Sequence, residues 1–267
     1  MQFINAEVAP LYPIDLSGKK GIIFGVANDR SIAWAIAKAL GDAGATLALT
    51  YQNDRLKDRV EHLANTLDGA LAIPCDATYD DQITDAFQRV EDDFGEISFL
   101  VHSIAYANRD DLTGQFSETN REGFRIALEV SAYSLLPLVK HAVPLMKNGG
   151  SVLAMTFQAS QRVYPGYNVM GTAKAALEHE VRQLASEFGG QNVRVNAISA
   201  GPLDTLAARG IHGFIDMKKV HAEKAPLQRN ITMDDVAKTA LFLCSDMSSG
   251  VTGSIIPVDA GYHIMAV

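Results

Sequence analysis

The stretch GIIFGVANDRSIAWAIA, Gly21 to Ala37, decides the fold: an apolar run, a short turn of small and polar residues, then apolar residues at helical spacing. GIIF is β-branched and aromatic, as a strand covered on both faces requires, and Gly25 closes it. Ser31 stands where a helix N-cap belongs, immediately before the periodic residues. The same alternation continues outward. SIAWAIAKALGDAG, DRLKDRVEHLANTL and DQITDAFQRVEDDFG have helical spacing, whereas TLALTY, ALAIPC and SFLVHSIA are short apolar runs. A helical stretch from about Arg121 to Met146, the strand SVLAMT, a helix from about Asn168 to Phe188, the strand VRVNAIS and a last strand near SIIPVD follow.

Apolar strands with a helix between each pair pack as a parallel sheet covered on both faces, because right-handed crossovers lay helices there. The expected architecture is α/β: a doubly wound, Rossmann-type parallel sheet of about seven strands with helices on both faces. No repeat, low-complexity tract or linker interrupts the 267 residues, which read as one domain. Residues 1–15 read as a loose arm, and 203–225, apolar but without a strand signal, as an inserted helical flap.

Composition excludes several classes of function. With 31 acidic against 23 basic residues the net charge is -8, which argues against a nucleic-acid partner. Cys75 and Cys244 match no metal-ligand or disulfide spacing, so no metal is expected and two reduced thiols suit the cytoplasm. The start, MQFINAEVAPLYPIDLSGKK, lacks a basic head followed by an apolar run. No uninterrupted apolar segment reaches the ~18 residues a membrane span needs, so neither export nor a membrane partner is expected.

Sheets of this kind bind ligands at the carboxyl ends of their strands, near the point where strand order reverses. Gly25 and small Ala27 let the first turn approach a ligand closely, and the free amides of Ser31 and Ile32 at a helix N-terminus suit a pyrophosphate. GxGxxG is absent, and an ordinary Ser-capped turn is the competing reading. Gln52, ending the second strand, lies where such folds meet the adenosine ribose; being neutral, it favours NADH over NADPH, unless it is only a polar strand end. Asp76 after the third strand suits the adenine amino group or, alternatively, a turn. Ser103, Ile104 and Ala105 after the fourth leave backbone space beside a ribose.

The stretch YNVMGTAK places Tyr167 and Lys174 seven residues apart, about 10 Å along a helix axis and on one face. A phenol with an ordinary pKa near ~10 is a weak acid at neutral pH, and a neighbouring ammonium favours its phenolate and strengthens it as a donor. Lys174 also suits the hydroxyls of a nicotinamide ribose. A core tyrosine beside an unrelated surface lysine is the plainer alternative.

Together these segments carry a resemblance. GVANDRSIA, TYQND, CDAT, HSIAYA, EVSAYS, YNVMGTAKAALE, VRVNAISAGP, TLAA and VDAGYHIM make the chain similar, over nearly its whole length, to the short-chain dehydrogenase/reductases and to their enoyl-[acyl-carrier-protein] reductase branch. Ordinary members reduce carbonyls with a Tyr-x3-Lys pair; here that position is Met170 and the tyrosine lies one turn earlier. The resemblance implies NADH-dependent reduction of a trans-2-enoyl thioester on acyl carrier protein in bacterial fatty acid synthesis. In that reaction Tyr167 hydrogen-bonds the thioester oxygen and Lys174 holds the ribose. It adds Ala77, Leu203, Thr205 and Ala207 to the cofactor set, and implies a substrate side of Ala107, Tyr167, Met170, Ala207, Ile211, Phe214 and Met217. It also implies a homotetramer.

Six positions depart from the pattern. Phe157 replaces a second active-site tyrosine, keeping the ring without its hydroxyl, and Asn108 replaces a frequent proline. Asp204 stands where a base is usual and would repel a pyrophosphate unless turned away. In the flap, His212, Ile215 and Asp216 replace a basic cluster that receives the carrier protein, with Lys218, Lys219 and Lys224 following. The competing functions are a carbonyl reductase or alcohol dehydrogenase of the same superfamily, against which the longer Tyr–Lys spacing counts, and a silent dinucleotide-binding module.

Overall fold

A computed structural model describes residues 14–205 and 213–266. Its centre is a sheet of seven strands: β1 (Lys20–Phe24), β2 (Thr46–Tyr51), β3 (Leu71–Pro74), β4 (Phe99–His102), β5 (Gly150–Thr156), β6 (Val193–Ala200) and β7 (Ile255–Val258). All neighbours pair in parallel, in the order β3-β2-β1-β4-β5-β6-β7. The order reverses between β1 and β4.

Alternation along the strands builds two cores. Ile22, Phe24, Leu100, Val152 and Val195 face a cluster shared with α3 (Asp80–Phe94), α5 (Leu135–Ala142) and α6 (Asn168–Phe188). Ile23, Leu47, Leu49, Val101, Leu153 and Ile198 face the other cluster, shared with α1 (Ile32–Asp42), α2 (Asp54–Ala64) and α8 (Met233–Cys244). Each strand is thus apolar on both faces, which is why the runs read as continuous rather than alternating. Local caps set the helix starts. The Ser31 and Asn53 side chains accept backbone N–H bonds at α1 and α2, and Thr232 and Asp235 form a reciprocal capping box at α8.

The expected helical stretch from about Arg121 to Met146 is broken. α4 (Arg121–Leu128) passes into a π-helical turn (Glu129–Tyr133), with Ser134 N bonded to Glu129 O at 3.0 Å, before α5 resumes. Pro137 explains the break: it has no N–H for the Tyr133 carbonyl, and its ring would crowd that carbonyl in a regular helix. This run is the one among the described helices long and apolar enough to cross a membrane, and half of its most apolar window is buried in the fold. The 1–15 arm is described only from Ile14. Of the expected flap, 203–205 precede and α7 (Phe214–Lys224) follows the residues outside the description.

Candidate active site

One cleft of about 670 Å³ lies over the carboxyl ends of the strands, across the β1/β4 reversal. Gly25 makes its floor possible. Its φ of +99° lies in the left-handed region, and a Cβ there would sit 2.1 Å from the Ser103 carbonyl oxygen. The two strand ends therefore meet backbone to backbone, with Ser103 N donating to Phe24 O at 3.1 Å.

Ala27, Ser31 and Ile32 line the cleft beside Gly25, but the expectation of two free amides needs correction. Ser31 N donates to Asn28 O at 3.1 Å, its hydroxyl donates to the same oxygen at 2.7 Å, and Trp34 N donates to Ser31 Oγ. Buried Asn28 thus uses up the Ser31 amide in closing the turn. Ile32 N keeps no such bond among the described residues.

Gln52, Asp76 and Ala77 line the far end. Gln52 Nε2 donates to Asp76 Oδ2 at 3.0 Å, and Asp76 Oδ1 accepts from Thr78 N and Thr78 Oγ1 at 3.0 and 2.8 Å. Asp76 therefore has its turn role and still presents a carboxylate to the cleft.

Ser103, Ile104, Ala105 and Ala107 form the β4 side. Ser131, fully buried in the π-helical turn, accepts from Tyr106 N at 2.9 Å and donates to Tyr106 O at 3.0 Å, fixing this loop. Asn108 has a job of its own: it donates to Asp111 Oδ2 at 3.0 Å, while Asn120 donates to Asp111 Oδ1 at 3.2 Å, tying the loop to the start of α4.

Tyr167, Met170 and Lys174 reach the cleft from the first turns of α6. Lys174 is 4% exposed and donates to Met155 O at 2.8 Å. Burial lowers its ammonium to about 8, opposed by the charge of Glu178. Burial also raises the Tyr167 phenol above its ordinary value, and no lowering by Lys174 accompanies it, so the expected tuning by the ammonium is not found. The phenol is instead a protonated donor at neutral pH. Phe157 packs edge-on against Tyr167 with centroids 5.0 Å apart and lies 4.8 Å from Tyr164, whose hydroxyl donates to Gln158 Oε1.

Leu203, Thr205, Phe214 and Met217 line the flap side; Ala207, Ile211 and His212 lie outside the described residues. Asp204 turns away from the cleft to pair with Lys218, which removes the expected repulsion of a pyrophosphate. Lys219, also on α7, lies 4.0 Å from Glu223 with both side chains exposed. Every described candidate lines this one cleft. Sequence reasoning missed Thr156, Arg109, Leu112 and Val130, which also line it. Thr156 had a signal, as the last residue of a strand; the others lie on irregular or helical segments that carry none.

The family model described as Enoyl-(Acyl carrier protein) reductase matches residues 25–263. A relative from Nostoc sp., named enoyl-[acyl-carrier-protein] reductase [NADH] FabI, is 48% identical over 255 residues, covering 94% of this chain and 99% of its own. Enoyl-[acyl-carrier-protein] reductase [NADH] 1 of Rhizobium meliloti is 49% identical, covering 93% and 91%. The crystal structure of the Bacillus cereus enoyl-acyl carrier protein reductase, with NADP+ and an indole naphthyridinone, superposes with a TM-score of 0.93 at 47% identity, covering 94% of this chain and 99% of that one. The Anaplasma phagocytophilum reductase in complex with NAD gives 0.91 at 43% identity, covering 94% and 96%.

Proposed function

The chain belongs to the enoyl-(acyl carrier protein) reductase family, and from that premise we propose how its own residues carry the reaction. It is an NADH-dependent oxidoreductase that reduces trans-2-enoyl thioesters of acyl carrier protein in fatty acid synthesis. The observation that carries the residue assignment is the convergence of Tyr167 and Lys174, seven positions apart, on the cleft that Gly25 opens between β1 and β4.

The donor set fits a dinucleotide. Gly25 lets the ends of β1 and β4 meet backbone to backbone at the floor of the cleft, and α1 begins beside it with an uncapped Ile32 amide, a place for a pyrophosphate. At the other end the Gln52–Asp76 pair offers a neutral amide and a carboxylate, which favours a ribose hydroxyl and repels a 2'-phosphate. Bound NADH supplies the hydride.

Lys174 has three N–H donors. One is held by Met155 O, and the other two would serve the ribose hydroxyls of the cofactor. Tyr167, kept protonated by burial, donates to the thioester oxygen, where negative charge grows when the β-carbon is reduced. Phe157 holds the Tyr167 ring by its edge-on contact. Ala107, Met170, Phe214 and Met217 provide an apolar path for the acyl chain. The whole chain, 1–267, acts as one reductase domain.

A homotetramer in the cytoplasm belongs to the same proposal. Exposed Phe116, Phe124 and Tyr133 around α4 support assembly, and two buried free thiols support a reducing compartment. The test of function follows NADH absorbance with purified protein and a crotonyl thioester, then with a ketone panel and with NADPH. Oxidation with the thioester and NADH is expected; oxidation with ketones alone rejects the assignment.

A further inference from the structure

The carboxylate of Glu178 lies behind the site, one helical turn beyond Lys174 on α6, and the mechanism above does not use it. It is 3% exposed. Its Oε1 accepts from Thr156 Oγ1 at 2.9 Å and from Ser160 Oγ at 2.5 Å. These two hydroxyls flank Phe157, so one oxygen gathers both ends of the turn that carries the Phe157 ring to Tyr167. Its Oε2 lies 4.0 Å from Arg182 Nη2, a half-exposed partner. A buried carboxylate persists only with such donors or an opposite charge nearby, and the buried cation one turn away on α6 is Lys174.

Lys174 needs a counter-charge. Its ammonium has one fixed partner, a backbone carbonyl, and burial works against its charge, while Glu178 works for it. The other titratable group felt by Lys174 gives no help. His102 at the end of β4 is fully buried, bonded to Ser134 Oγ at 2.8 Å, and held neutral by burial and by the Lys174 charge itself. Tyr167 stays protonated. Among the described groups, Glu178 is therefore the anion that keeps this cation charged inside the protein.

We propose that Glu178 is a positioning residue for this reaction: its carboxylate sets a buried negative charge one helical turn from the Lys174 ammonium that binds the cofactor ribose, and fastens the Thr156–Ser160 turn against Tyr167. This rests on the ribose role assigned to Lys174 above. An amide of the same shape would satisfy both hydroxyls and fill the same space, so a purely structural role needs no charge.

That difference defines the experiment. NADH dissociation constants are measured without substrate, by nucleotide fluorescence, from about pH 6 to 9.5 for the wild type, Glu178→Gln, Glu178→Asp and Lys174→Ala, with an unfolding midpoint for each. In the wild type, affinity falls as pH rises through about 8, where Lys174 gives up its proton. Removing the anion lowers the pH of that fall. Glu178→Gln is expected to bind NADH within about twofold of wild type near pH 6 and roughly tenfold more weakly near pH 8. Glu178→Asp keeps the charge one methylene further back, so its fall stays close to the wild-type pH while turnover with the thioester drops as the turn loosens. A Gln variant with the wild-type profile overturns the proposal, as does equal weakening at every pH in both variants. Should the Gln variant not fold, an Asp variant whose fall moves markedly acidward overturns it on its own. A Lys174→Ala protein that binds NADH as wild type does overturns the ribose assignment instead.

Discussion

Replacing Tyr167 by Phe removes one oxygen and nothing else from the site. The ring keeps its edge-on contact with Phe157, and the lost hydroxyl has no hydrogen-bond partner among the described residues, so no buried donor or acceptor is orphaned. Stability is therefore expected to change by less than about 0.5 kcal/mol, read as an unfolding midpoint. NADH affinity is expected to stay within about twofold, because the cofactor contacts assigned above lie on Lys174, Gln52, Asp76 and the Gly25 turn. The cost falls on turnover. A single donor aimed at developing oxyanion charge in a site shielded from water is worth about 2.7–4 kcal/mol, so kcat with a crotonyl thioester should fall about 10²–10³-fold. Because burial keeps the phenol above its ordinary value, it is a donor across the neutral range, and the ratio of wild-type to variant kcat should be flat with pH there. The assay is NADH absorbance at saturating thioester, with NADH binding measured separately. A fall in kcat under about threefold, or equal losses in kcat and NADH affinity, refutes the assignment of Tyr167 as the oxygen's donor.

Three further outcomes follow from the same geometry. Gly25→Ala places a methyl 2.1 Å from the Ser103 carbonyl oxygen at a φ of +99°, so a loss of at least about 1–3 kcal/mol of stability is expected by denaturant titration, together with NADH binding. Phe157→Tyr adds one oxygen to a ring that already faces the cleft; the midpoint of unfolding should move by no more than about 1 kcal/mol, and thioester kcat will show directly whether that hydroxyl adds to the donation from Tyr167. Asp204→Ala breaks an exposed pair with Lys218, worth about 1 kcal/mol or less, and since Asp204 faces away from the cleft the KM for NADH should change less than about twofold.

Much of the frame was legible because it is written in local patterns. A strand buried on both faces must be apolar throughout, and a helix after it must show its own period, so seven strands and their crossovers could be counted along the chain. The Tyr167–Lys174 pair was legible for a related reason: both lie on one continuous helix, whose geometry places them without reference to the rest of the fold. Local patterns failed where the exact backbone geometry, rather than residue type, decides a bond. The break at Glu129–Tyr133 follows from Pro137 eight residues after the start of the turn, and the Ser31 amide reads as free in the sequence because its acceptor, the Asn28 carbonyl, depends on how the turn closes.

What the amino-acid order determined alone is therefore the succession of elements, the small residues that end the strands, and the chemistry carried on the α6 face. Only the tertiary structure decided which partners those groups meet: Gln52 with Asp76, Asp204 with Lys218, and Thr156 and Ser160 with Glu178. The physical reason is that hydrogen bonds and ion pairs depend on distances of a few ångströms between atoms far apart in the chain. Packing of the whole sheet and its helices sets those distances, and no short stretch of sequence contains them.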